Sequence, residues 1–392
     1  MDQKPKRLAP RSVNGHTWIP LAAIALILLG LAVGSLLLPD IEFSPNENRY
    51  LQLRPAFSWR SLMDGDFTKK EEDHAADQIP LRDFWISAKS VLQRASGKTD
   101  INGIWLGQDG YYFAKVTEDT FDRENFEKNV TAVEKFFAAH PDKDCRILLA
   151  PPPASVLYDK LPYGAALYNE IYFDDHACYD LLADTFGERA IMVQEALRRT
   201  SVQNEVYYRT DHHWTTMGAY TAYQIWADTT RNTVSEADDT HDISLVPVSD
   251  SFRGTLYSKA LLPDSAYDTV YVPSPLPNVT MEADGETYHS LLFMDRVEQK
   301  DVYEVFLGGN YAKAVIDTGA HTGRTLLLVK DSFANCFVPF LTQDYDTITM
   351  VDLRYCRENM KTLAEESSDI LVLYELTNFA GDGNLFKLNL KK

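Results

Sequence analysis

Hydrophobic and polar positions divide the chain into stretches of different period. Ile19 to Leu38 is 20 residues long and carries no charge. At about 1.5 Å per residue it spans roughly 30 Å, the thickness of a bilayer core. Lys4, Lys6, Arg7 and Arg11 precede it, and Asp40 and Glu42 follow. That asymmetry predicts a transmembrane anchor (19–38) behind a cytoplasmic tail (1–18), with everything after it outside the cell. A cleaved signal peptide is the alternative. The run is longer than a signal core, however, and no Ala-x-Ala site closes it.

Residues 39–100 lack strand alternation, and Phe67 to Arg94 reads as helix interrupted at Pro80, a helical lead-in. Ile104 to Phe113 is a hairpin pattern turning at Asp109-Gly110. Residues 121–139 have helical spacing, and Arg146 to Ala150, stopped by Pro151-Pro152-Pro153, reads as a buried parallel strand. Tyr179 to Phe186 and Val193 to Arg199 read as helical. Glu205 to Tyr208 reads as a short strand. Residues 228–320 are rich in Asp, Thr, Pro and Gly with short strand-like runs such as Thr269 to Val272, a β-rich insertion. Apolar runs at Thr325–Val329, Thr347–Leu353 and Ile370–Leu376 alternate with helix-compatible segments. Such alternation predicts an α/β domain over 101–392 with a parallel sheet and right-handed crossovers.

Composition narrows the function classes. With 45% hydrophobic residues and 24% charged, the 392-residue chain can bury a large core. A formal charge of -19 disfavours nucleic acid as a partner. No zinc-type cysteine spacing, phosphate-binding loop or dinucleotide fingerprint is present. Cys145, Cys178, Cys336 and Cys356 are even in number in a part placed outside the cell, so disulfides and buried free thiols are both open.

The chemistry concentrates in two places. Asp211-His212-His213-Trp214 lies on a loop before a helix that Thr215 or Thr216 can cap. In Asp-x-His both side chains can turn to one side, so Asp211 and His213 form the natural carboxylate–imidazole pair. A structural hydrogen bond is the plainer reading. Metal binding by Asp211, His212 and His213 is disfavoured, because adjacent histidines rarely converge on one ion and no cluster of further ligands lies near. Far downstream, Ser332 in Lys330-Asp331-Ser332-Phe333-Ala334-Asn335 sits at a strand-to-helix turn, where nucleophilic serines are found. Together the three side chains make a Ser332-His213-Asp211 set.

These two motifs resemble those of the DHHW protein family, relatives of the alginate O-acetylation proteins with an SGNH-hydrolase-like domain. Asn48-Arg49, Pro55 to Ser58, Asp77 to Asp83, Leu106 to Tyr111 and Val351 to Tyr355 also resemble that pattern. The resemblance implies a flavodoxin-like sheet with helices on both faces. It is circularly permuted, because the Asp/His pair precedes the serine. It implies a serine O-acetyltransferase that uses Ser332, His213 and Asp211, forms an acyl-enzyme and needs no cofactor. The acceptor would be a cell-envelope or secreted polysaccharide, and a multispanning membrane acyltransferase would supply acetyl groups. An acetylesterase of the same type and a non-catalytic polysaccharide-binding protein are the alternatives. Trp214 and Tyr355 are candidates to line the site. Ordinary SGNH enzymes place an oxyanion-binding glycine and asparagine after the next two strands. Those places fall here on Arg354-Tyr355, which lacks the glycine, and on Asn378. Arg354 and Asn378 are thus the expected oxyanion donors.

Overall fold

The computed structural model describes residues 18–46, 49–163, 173, 175–231 and 244–390. The expected cytoplasmic tail up to residue 17, Asn48 and part of the expected insertion (232–243) lie outside them. The chain divides into two compact units, Met1–Lys89 and Ser90–Lys392.

In the first unit the uncharged run forms helix α1 (Trp18–Leu37), with a mean hydropathy of 2.5 and none of its surface buried. It is the one helix among the described residues long and apolar enough to cross a membrane. Helix α2 (Asp66–Asp77) ends before Pro80, and α3 (Arg82–Ala95) begins just after it. This is where the missing proline N–H is harmless. Asp77 accepts from the Arg49 guanidinium at 2.9 Å and from Gln52 N at 2.9 Å. The Asp77 motif residue thereby pins the chain that precedes α2.

The second unit is built on a seven-stranded sheet. Its strands are β1 (Asp144–Ala150), β2 (Thr280–Ala283), β3 (Glu286–Tyr288), β4 (Lys313–Asp317), β5 (Thr325–Lys330), β6 (Thr347–Val351) and β7 (Asp369–Glu375). The spatial order is β3-β2-β4-β6-β5-β7-β1. β5 runs parallel to β6 and β7, and β7 parallel to β1, whereas β4 pairs antiparallel with β6 and β2, and β2 with β3. The sheet is therefore mixed, not wholly parallel. The antiparallel half includes β2 and β3, from the stretch that composition set apart as an insertion. Short runs such as Thr280 to Ala283 lack enough apolar residues to announce a sheet strand. Backbone pairing with β4 supplies what the side chains do not.

Strand parity sorts the core. Leu326, Leu328, Ile348, Met350, Leu371 and Leu373 face one cluster, with Ala222, Tyr223 and Trp226 of helix α5 (Thr216–Arg231). Leu327, Val329, Ile370 and Val372 face the other, with Phe126, Val130, Val133 and Phe137 of helix α4 (Arg123–Ala138). Helices thus cover both faces, as the continuous apolar runs of β5 and β7 require. The cysteines follow the same rule. Cys336 lies in the first cluster and Cys145, Cys178 and Cys356 in the second. All four are buried free thiols. Cys336 and Cys356 are on opposite sides of the sheet.

The expected strand at Glu205 to Tyr208 is instead a tight loop. One bridge, Tyr207 to Trp214, crosses it, and Tyr208 N donates to His213 O at 3.2 Å. Thr215 closes the loop: its hydroxyl accepts from Gly218 N at 3.2 Å and donates to Glu205 O at 2.5 Å. Gly218 is required there, because a Cβ would fall 3.1 Å from the Val206 carbonyl carbon and from Trp214 Cβ.

Candidate active site

The serine is presented by a clamp between two strand ends. Asp331, immediately after β5, accepts from Phe333 N at 2.9 Å and so caps the short 3-10 turn Ser332–Cys336. Its other oxygen accepts from Glu375 N at 2.9 Å, at the end of β7, and from Asn378 Nδ2 at 2.8 Å. Asp331 is buried and Ser332 is partly open to solvent. A carboxylate held by three donors fixes the turn that lifts Ser332 from the sheet edge.

The Asp/His loop meets it from the α5 side. Ser332 Oγ lies 2.8 Å from His213 Nε2, and His213 Nδ1 lies 2.6 Å from Asp211 Oδ1. Asp211 is 1% exposed. It also accepts from His213 N at 2.9 Å and from Thr255 N and Oγ1 at 2.7 and 3.0 Å. Burial opposes its charge, but the charges and side-chain hydrogen bonds of the two histidines hold its pKa well below the ordinary aspartate value. An ionised Asp211 accepts the Nδ1 proton, which leaves the Nε2 lone pair facing the serine hydroxyl. Burial, reinforced by the charge of His212, pushes the His213 pKa down to about 4, so the ring is neutral near pH 7.

Several supports were invisible in the motifs. The Tyr303 ring stacks on His213 at 3.8 Å and 9°, and its hydroxyl donates to Ser332 O at 3.1 Å. Asp268 accepts from Arg209 N, Thr210 N and Thr210 Oγ1 at 2.7, 2.9 and 2.5 Å, anchoring the chain just before Asp211. Gly254 packs directly on Asp211: a Cβ there would lie 2.6 Å from the Asp211 Cγ. These residues come from the stretch read as an insertion, and nothing in its composition marks them.

The remaining expected site residues fall elsewhere. Trp214 is fully buried and donates from Nε1 to Phe333 O at 2.9 Å. It ties the Asp/His loop to the serine turn and offers no surface to a ligand. Tyr355 is 55% exposed beyond β6, with the Arg354 guanidinium 5.4 Å from its ring. Arg354 is bound to Asp352: its Nη2 donates to Oδ2 at 2.6 Å, its Nε to Oδ1 at 2.9 Å and its backbone N to Oδ1 at 3.1 Å. Asn378 gives its amide to Asp331. The two residues expected to donate to an oxyanion are thus engaged in holding carboxylates, because a buried Asp331 or Asp352 without donors would be costly. As for metal, Asp211, His212 and His213 offer donor atoms within 4.8 Å of one another. Both ring nitrogens of His213 already have partners, and His212 Nδ1 lies 2.7 Å from Thr255 Oγ1. The donor set is organised by hydrogen bonds.

Glu375 adds a titration. Its Oε2 accepts from Thr377 Oγ1 at 2.5 Å and Asn378 N at 2.8 Å, while buried Oε1 has no partner among the described residues. Burial raises its pKa from 4.5 to about 7. Below pH 4.5 the group is neutral in folded and unfolded chains alike. As pH rises toward 7 only the unfolded chain ionises freely, so stability falls by roughly 3 kcal/mol and then levels off. Glu375→Gln removes that loss. Its melting temperature should match wild type near pH 4 and exceed it at pH 8, and parallel profiles across that range would exclude the assignment.

Comparison with known proteins places these features. Residues 183–351, which include both motifs, match the family described as DHHW protein, so the resemblance read from the motifs is borne out. The probable alginate O-acetylase AlgJ of Pseudomonas syringae pv. tomato is 27% identical over 175 residues. That match spans 42% of this chain and 42% of the relative, less than half the length of either. Among solved structures, a DHHW family protein from Eubacterium siraeum superposes with a TM-score of 0.62 at 21% identity, covering 75% of this chain and 98% of that one. Bacillus cereus PatB1 with a sulfonyl adduct gives 0.58 at 19% identity, covering 75% and 100%. These likenesses establish a shared mixed α/β fold.

Proposed function

We propose that this chain is a serine O-acetyltransferase acting on a polysaccharide, with Ser332 as nucleophile, His213 as general base and acid, and Asp211 as the group that orients His213. The observation that carries this reading is the unbroken hydrogen-bond chain from buried Asp211 through His213 to solvent-reachable Ser332. His213 Nε2 takes the Ser332 proton as Oγ attacks the carbonyl carbon of an acetyl ester. The tetrahedral intermediate collapses, the donor oxygen leaves with the proton from His213, and the acetyl group remains on Ser332. A sugar hydroxyl then loses its proton to His213 and attacks the acyl-enzyme, releasing acetylated product and free Ser332. The name of the AlgJ relative supports a polysaccharide acceptor. In this reading the sheet is a circular permutation of the SGNH arrangement, with the Asp/His pair ahead of the serine strand in the chain. Water as acceptor would make the same parts an acetylesterase, and the partial exposure of Ser332 favours keeping that second reading.

The test is intact-mass analysis of the full chain in detergent after mixing with a chromogenic acetyl ester, with and without candidate glycans. One acetyl group on the peptide containing Ser332, discharged faster by glycan than by water, is the expected result. Absence of any Ser332 adduct would sink the reading, and discharge indifferent to glycan would make the protein an esterase.

The reading also places residues 19–38 in the membrane as an uncleaved anchor with 1–18 cytoplasmic, the catalytic unit outside, and a multispanning acyltransferase as donor. Membrane-fraction protein should then retain peptides from residues 1–18. A mature N-terminus at or beyond Leu38 would rule the anchor out.

A further inference from the structure

Acyl transfer through Ser332 needs donors for the developing oxyanion, and each of the two expected ones already gives N–H groups to a buried carboxylate. One donor is at hand. Ser332 N–H opens its turn and has no partner among the described residues. A second comes from a cluster that the serine motif itself builds. Lys330 is 1% exposed, and its Nζ donates to Asn335 Oδ1 at 2.6 Å and to Asn310 Oδ1 at 3.0 Å. Asn335 Nδ2 in turn donates to Asn310 Oδ1 and Gly309 O, each at 3.3 Å.

This interlock fixes both amide orientations. An ammonium only donates, so both amide oxygens must face Lys330. Asn310 Nδ2 therefore points away from the cluster, on an exposed residue, and has no hydrogen-bond partner among the described residues. The location follows from the turn. In a 3-10 helix, residues three apart eclipse, so Asn335 shares a face with Ser332. Asn310 is bonded to Asn335 and lies seven residues beyond Tyr303, whose hydroxyl holds Ser332 O. The loop that carries Asn310 thus runs beside the serine turn.

We infer that Asn310 Nδ2, with the Ser332 N–H, binds the oxyanion of the tetrahedral intermediate, and that Lys330 and Asn335 position it. This rests on the acyl-transfer reading above. A buried cation on the amide oxygen also polarises the N–H bonds and strengthens their donation where negative charge develops. Lys330 and Asn335 then have a reason to flank Ser332 in the motif, which neither the base nor the clamp on Asp331 explains.

Two variants of the full chain in detergent test it, read as the pre-steady-state acylation rate with a chromogenic acetyl ester. Asn310→Asp keeps an acceptor for Lys330, removes the amide donor and adds a negative charge. Asn310→Ala removes both. Loss of an oxyanion donor predicts an acylation rate about 10²–10³-fold lower for each variant, with KM and melting temperature little changed. A boronic acid that mimics the tetrahedral state should also bind more weakly to Asn310→Ala. A merely structural Asn310 predicts that Asn310→Ala acylates within about threefold of wild type and binds the boronate normally, which would overturn the inference. Wild type that never acylates Ser332 would overturn the acyl-transfer reading itself and this assignment with it.

Discussion

Ser332→Ala or His213→Ala lowers acetyl-ester turnover about 10⁴-fold or more, and the double variant loses little beyond either single one, because the groups act as a unit. The geometry makes the expectation sharp for the two adjacent histidines. His213 bridges Asp211 and Ser332 at 2.6 and 2.8 Å. His212 instead sits with Nδ1 2.7 Å from Thr255 Oγ1 and 3.4 Å from Asp211 Oδ1. His212→Ala should therefore cost far less. Steady-state kinetics of the three single variants and the double variant decide this. Equal losses for His212→Ala and His213→Ala would break the assignment, and a chelator titration would then examine the metal reading.

The second large effect comes from a residue with no reactive group. Gly254→Ala should lower kcat on the order of 10³–10⁴-fold, as loss of the orienting carboxylate does in triads of this kind. Gly254 has φ -86°, which any residue adopts, so backbone conformation does not require glycine there. Space does. An added Cβ would overlap the Asp211 side chain, lying 2.6 Å from its Cγ. Asp211 must then move away from His213 Nδ1 and from Thr255, and the ring loses the partner that sets its tautomer. The expected pattern is a fall in kcat with KM and the far-ultraviolet dichroism spectrum unchanged. Thr255→Val, which deletes one bond to Asp211 and keeps the backbone N–H, should lie between Gly254→Ala and wild type. Wild-type turnover by Gly254→Ala would mean that Asp211 need not sit where the structure places it.

Sequence period carried most of the sheet. The continuous apolar runs of β1, β5 and β7 announce buried parallel strands, because both faces of such strands must be apolar. The uncharged length of Ile19 to Leu38 announces α1 in the same way, since length and charge alone set that signal. The proposed nucleophile, base and carboxylate stand out in the sequence too, because each lies in a short, characteristic context. Local chemistry at Thr215 and Asp331 marks the turns that hold them.

What the sequence could not settle is what those side chains do with their remaining hydrogen-bonding capacity. Asn378 and Arg354 fall at the right strand ends to serve an oxyanion. Only the fold shows that buried Asp331 and Asp352 claim their donors, since the need for those donors arises from burial. Trp214 looks like a site aromatic until packing encloses it and directs its N–H to Phe333 O. Tyr303, Gly254, Asp268 and Asn310 reach the site from a stretch whose composition reads as an insertion. Their relation to Ser332 and His213 spans tens of residues, and no local period encodes a contact of that range. The residue types and turns that make the chemistry are thus written locally. Which donors remain free to act on a substrate is decided by which carboxylates the tertiary structure buries.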